Sequence, residues 1–201
     1  LPELDALFGV PQPPEHHPEI DTGVHTLKVL AQAARLSPDA RVRFAALLHD
    51  LGKGTTPPME WPKHRGHEER SVDLVRAVCQ RLRTPNEYRD LALLVARYHL
   101  HCYRAAELRD ATLLETLEAL DAFRRPERVE DFVLACEADF RGRTGYEDRP
   151  FPQADIFRCA FAVARVVDAA GIAAGQSGPQ VGEAIRQARI DVIRQARLAR
   201  D

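Results

Sequence analysis

The chain has 201 residues, 45% of them hydrophobic, and its 28 Lys and Arg nearly balance 30 Asp and Glu to leave a formal charge of −2. That length suits one substantial core and is short for two, so a single domain over residues 1–201 is expected. The balance excludes the strongly basic profile of a dedicated nucleic-acid-binding module, although a local patch of positive charge still admits a nucleic-acid substrate. No run approaches a membrane span, and the opening LPELDALFGV lacks a signal-peptide pattern, so a cytoplasmic protein without membrane contact is expected. Cys79, Cys102, Cys136 and Cys159 are far apart and form no C-x-x-C pair, which reads as free thiols and not as a disulfide framework or thiolate zinc site. The start on Leu1 suggests a fragment of something longer.

In chain order the signals are all helical. After the proline-rich GVPQPPEHHPEID, Asp21 or Thr22 caps a helix in which Val24, Leu27, Ala31 and Ala34 recur at helical spacing. SPDARVRFAALLHDLG reads as a helix with Ser37 as cap, Pro38 at its first position, Asp39 in its first turn and Gly52 as its stop. The loop KGTTPPMEWPKHRG follows. Further helices are expected from about His67 to Arg83, Pro85 to His101, Asp110 to Phe123 and Pro126 to Phe140. After a second loop, RGRTGYEDRPFPQ, two more run from about Ala154 to Ala169 and Pro179 to Arg200. The reading is an all-α bundle of about seven to eight helices.

The chemistry gathers at LLHDLGK. Adjacent helical residues point about 100° apart, so His49 and Asp50 cannot serve one face. They converge only on a small object lying between them, and a divalent metal is such an object. The plainer alternative makes His49 a core histidine and Asp50 an exposed charge. His25 lies on the side of its helix bearing Val29 and Gln32, where an antiparallel pair would bring it opposite His49. Asp139 ends a helix carrying Phe132, Val133, Leu134 and Cys136, where a carboxylate is costly to bury without a cation. Two imidazoles and two carboxylates suit an octahedral ion with open water positions: manganese, iron, cobalt, nickel or magnesium. His67 and His99 would complete a second metal site or contact phosphate, or else be a helix-start and a core histidine. His16, His17, His64 and His101 read as loop or surface residues.

A separated histidine, a His-Asp doublet and a distant aspartate resemble the signature of the HD superfamily of metal-dependent phosphohydrolases, here His25, His49 with Asp50, and Asp139. The runs GVPQPPEHHPEIDTGVHT, HDLGKGTTPP, WPKHRGH, RLRTPNEYRDLALLVARYH and EADFRGRTGYE are further similar to the C-terminal HD domain of the bacterial CCA-adding enzymes, the tRNA nucleotidyltransferases, from about Leu4 to Pro152. The nucleotidyltransferase head of that family has no counterpart here. The resemblance implies an HD-domain fold and hydrolysis of 2′,3′-cyclic phosphates, 2′-phosphates and simple phosphomonoesters, with a tRNA 3′ end or a small nucleotide as substrate and a homodimer as an expected assembly. It implies a divalent cofactor (nickel, manganese, cobalt or magnesium) on His25, His49, Asp50 and Asp139, with Asp50 and Lys53 as catalytic residues. Lys53, Arg141 and Arg143 would bind the phosphate, unless Lys53 is solvated and the arginines pair with Glu137 or Asp148. Two other readings stand beside it. One is an HD phosphohydrolase of free nucleotides; the other is a tRNA-docking or dimerisation module with an idle site, whose phosphate-facing stripe would be Arg186, Arg189, Arg194, Arg197 and Arg200.

Overall fold

The structure is a computed structural model that describes residues 1–175 and 178–199. It is all-helical: α1 Pro2–Asp5, α2 Thr22–Leu36, α3 Ala40–Leu48, α4 His67–Leu82, α5 Asn86–Tyr103, α6 Asp110–Ala119, α7 Glu127–Arg141, α8 Pro152–Ala164, α9 Ala169–Ala174 and α10 Pro179–Leu198, with 3-10 turns at Leu51–Thr55 and Pro58–Glu60. Among the described residues the nearest thing to a strand is one isolated bridge between Pro11 and Asp21. The chain divides into two compact units, Leu1–Tyr103 with Glu130–Phe151, and Arg104–Val129 with Pro152–Asp201.

In the first unit α3 packs on α5 and α2, and α4 packs on α5 and on the Leu51–Thr55 turn. Val42, Ala45 and Leu48 of α3 meet a core that includes Val29, Val75, Val78, Leu91 and Val95, all fully or almost fully buried. On α2 the side bearing His25, Val29 and Gln32 faces inward, as expected, while the apolar stripe through Val24 and Leu27 does not. Val24 and Leu27 are 41% and 54% exposed, whereas Thr22, His25, Thr26, Val29 and Gln32 are buried. The polar face turns inward because its groups find partners there: Thr22 Oγ1 donates to the Val10 carbonyl at 2.8 Å, Thr26 Oγ1 donates to the Thr22 carbonyl at 2.9 Å, and His25 meets two carboxylates.

The start and end of α3 also shift. Ser37 closes α2, and Asp39 caps α3 by accepting from the Arg41 amide at 2.8 Å. The α-helix ends at Leu48, before the doublet. His49 is its C-cap, and Asp50 (φ −111°, ψ 16°) has left helical geometry to open the 3-10 turn. That departure lets two adjacent side chains approach one point. Gly52 continues the turn where α4 comes closest, since a Cβ there would lie 2.2 Å from the His67 carbonyl oxygen.

In the second unit α10 packs on α6, α8 and α9 around Leu113, Leu117, Phe157 and Ile193. Its arginines have partners inside that unit. Arg186 pairs with Glu115 at 2.9 Å, Arg189 lies 3.5 Å from the Phe123 ring centre, Arg194 approaches Asp110 at 3.5 Å, and Arg197 donates to the Leu108 and Ala106 carbonyls and to Asp110. Arg200 lies outside the described residues.

Candidate metal centre

All the ligand candidates lie in the first unit. The end of α3 supplies His49 and Asp50, α2 supplies His25, α4 and α5 supply His67 and His99, and the last turn of α7 supplies Asp139. Each is at most 8% exposed. His25 Nε2 lies 2.9 Å from Asp139 Oδ1; His49 Nε2 lies 3.2 Å from Asp50 Oδ2 and 3.6 Å from Asp139 Oδ1. On the far side of Asp50, its Oδ1 is 3.2 Å from His67 Nε2 and 3.6 Å from His99 Nε2. Two triads of donor atoms, His25–His49–Asp139 and His49–Asp50–His99, therefore share His49, each with all its atoms within 4.8 Å of one another.

Backbone carbonyls fix the orientation of three rings. The Ala46 carbonyl receives His49 Nδ1 at 2.7 Å, the His64 carbonyl receives His67 Nδ1 at 2.7 Å, and the Val95 carbonyl receives His99 Nδ1 at 3.1 Å. A carbonyl only accepts, so the proton sits on Nδ1 and each neutral ring presents the lone pair of Nε2 to the carboxylates. His49 Nε2, His67 Nε2 and Asp50 Oδ1 are buried without a hydrogen-bond partner. Lone pairs facing ionised carboxylates in a dry site repel unless a cation lies between them. The donor set fits a divalent ion. Without one, a proton does part of that work: burial pushes His49 toward the neutral form, but Asp50 and Asp139 overrule it and raise its pKa to about 10. Burial likewise opposes ionisation of Asp50 and Asp139, and the neighbouring His49, joined by Lys53 at Asp50 and His25 at Asp139, holds both well below the usual carboxylate range. His99 is pushed down to about 4 by burial.

An open cavity of about 300 Å³ reaches the cluster, lined among others by Asp50, Lys53, His67, His99, Asp139 and Arg143. Lys53 is buried, its Nζ 2.5 Å from Asp50 Oδ2 and donating to Gln12 Oε1 at 2.6 Å. Arg143 lies over the Tyr103 ring and donates to its hydroxyl at 2.7 Å. Arg141 is turned to Glu137 at 2.6 Å and does not line the cavity.

Two histidines expected at the surface are buried. His64 bridges Thr56 Oγ1 and the Pro11 carbonyl, and His17 contacts Glu19 at 3.2 Å. The proline-rich entry folds back over α2, which covers both. Glu19 itself carried no sequence signal beyond its place two residues before a helix cap.

The HD domain family matches residues 22–136. The chain belongs to that family. The matched stretch holds His25, His49, Asp50, His67 and His99, and stops three residues short of Asp139, which joins the HD cluster through space. The HD chain is 62% identical over 196 residues to the multifunctional CCA protein of Thioalkalivibrio sulfidiphilus, covering 97% of this chain and 48% of that protein. It is 62% identical over 173 residues to the one from Nitrosospira multiformis (86% and 42%), and 59% identical over 197 residues to the one from Nitrosococcus oceani (98% and 48%). The chain thus spans about half the length of the curated relatives it matches. No solved structure matches it.

Proposed function

We propose that this HD domain is a metal-dependent phosphohydrolase acting on 2′,3′-cyclic phosphates, 2′-phosphates and simple phosphomonoesters, in the cytoplasm and at the 3′ end of tRNA. The observation that carries the reading is the buried cluster of unpartnered imidazole Nε2 and carboxylate oxygen atoms at the floor of an open cavity. His25, His49, Asp50 and Asp139 would hold the ion, with His67 and His99 on the outer side of Asp50. A divalent ion there supplies an acidified water at neutral pH and charge stabilisation for phosphoryl oxygens. Asp50 holds Lys53 and the ligand set in one register through its two oxygens. Lys53 spends two of its three N–H groups on Asp50 and Gln12, leaving one for a phosphoryl oxygen. Arg143, braced by Tyr103, offers a second charged donor to the same phosphate. The tRNA target rests on the resemblance to the CCA-adding enzymes, which the multifunctional CCA proteins among the relatives support. A docking module with an idle site has less support, because the described arginines of its stripe are engaged within their own unit.

The test is hydrolysis of 2′,3′-cyclic AMP, 2′-AMP and p-nitrophenyl phosphate by the chain loaded in turn with nickel, manganese, cobalt and magnesium. Turnover that depends on the ion and is lost in chelator is expected. Full turnover of all three substrates in strong chelator would contradict the reading.

A further inference from the structure

His25 has a carboxylate at each ring nitrogen: Asp139 at Nε2, 2.9 Å away, and Glu19 at Nδ1, 2.7 Å away. The two are not equivalent. Asp139 Oδ1 also faces His49 Nε2 and so belongs to the ligand cluster, whereas Glu19 groups with His17 and His25, a third set of donor atoms within 4.8 Å of one another that shares only His25 with that cluster in the described structure. Nε2 meets Asp139 Oδ1 in hydrogen-bonding geometry, whereas Glu19 Oε1 lies off the Nδ1–H axis, close enough for a charge contact, and Nδ1 has no other partner. The Glu19 side chain is only 2% exposed and meets no lysine or arginine among the described residues; its second oxygen accepts from the Thr144 amide at 3.0 Å, one residue after Arg143. The backbone is bent to put it there. Ile20 has φ +61°, the left-handed region that a β-branched residue rarely enters, between Glu19 turned inward and Asp21 capping α2 through the Val24 amide.

Resting on the metal-centre reading above, we propose that Glu19 is a positioning residue: it keeps a proton on His25 Nδ1, which leaves Nε2 as the nitrogen that an ion would take beside Asp139, and through Thr144 it ties this ligand to the loop that carries Arg143. A carboxylate behind a ligating imidazole raises the ring's basicity and fixes its tautomer, and losing such a partner weakens metal affinity by about 10–100-fold.

The experiment titrates nickel into the metal-free chain, its Glu19→Gln and Glu19→Ala variants, and reads the His25 tautomer by long-range nitrogen-proton correlation, with circular dichroism as a fold control. Expected are about a 10–100-fold weaker nickel affinity in both variants, a loss of the Nδ1 proton in Glu19→Ala, and unchanged helical signal. Affinity within twofold of the unsubstituted chain, or an Nδ1 proton kept in Glu19→Ala, overturns the role of Glu19 alone. No nickel binding by the unsubstituted chain overturns the metal centre itself. If Glu19→Ala loses its helical signal, Glu19→Gln decides, since it keeps the side-chain shape and removes the charge.

Discussion

Asp50 presents one carboxylate oxygen to His49 and Lys53 and the other to His67 and His99, so its loss reaches both sides of the cluster. Asp50→Asn is expected to reduce metal-dependent hydrolysis to background. It should also destabilise the metal-free chain by roughly 3 kcal/mol, because it leaves the buried Lys53 ammonium without its ion-pair partner; turnover and urea unfolding check the two effects. His49 gives a pH dependence. Its folded, metal-free pKa is raised to about 10 from 6.5, so its contribution to stability is complete below about 6.5 and is lost as pH rises toward 10. An ion must displace that proton, so nickel affinity should rise about tenfold per pH unit between about pH 7 and 9, with about one proton released per ion. Titration calorimetry in buffers of different ionisation enthalpy counts that proton. At this scale the meeting of His49 and Asp50 was legible because an adjacent imidazole and carboxylate behind an apolar run converge only on a point lying between their two directions. Glu19 was not, because only the return of the proline-rich segment over α2 brings it to His25.

At the scale of elements, the close approach of the 3-10 turn to α4 sets where His67 stands. A Cβ on Gly52 would press on the His67 carbonyl oxygen and, at 2.7 Å, on the Ser71 amide nitrogen. The Gly52 amide also donates to Ser71 Oγ at 2.8 Å. Gly52→Ala should therefore cost about 1–3 kcal/mol in denaturant unfolding and weaken metal binding, because α4 moves His67 as it yields. The sequence placed the long helices within a few residues, since caps and 3.6-residue spacing are local signals. It missed α1 and α9, whose four and six residues are too short to show a period. On α2 it marked two stripes, the apolar one through Val24 and Leu27 and the one through His25, Val29 and Gln32, and the second is the one that faces in. Apolar spacing marks a stripe without saying that a neighbouring polar stripe has buried partners, and here Glu19 and Asp139 decide which stripe faces in.

Over the whole molecule, no helix among the described residues is long and apolar enough to cross a membrane, and the site's ionisable groups govern how stability responds to conditions. His17 and His99 are held neutral by burial, with pKa values lowered from 6.5 to about 4. The unfolded chain binds protons there first, so the metal-free chain should lose stability as pH falls from about 6.5 to 4. Metal should raise the melting temperature, since an ion at about 100 times its dissociation constant contributes about 2.7 kcal/mol. Scanning calorimetry at pH 5 and 6.5, with and without nickel, checks both effects, and the nickel-dependent shift should vanish in Asp50→Asn. The most direct measurement of the central claim is a crystal structure of the chain grown with manganese, with diffraction data collected at the metal's absorption edge. The account predicts an anomalous peak at bonding distance, about 2.0–2.2 Å, from His25 Nε2, His49 Nε2 and carboxylate oxygens of Asp50 and Asp139. A fully formed cluster with no peak, or a peak bound away from these four side chains, would contradict it.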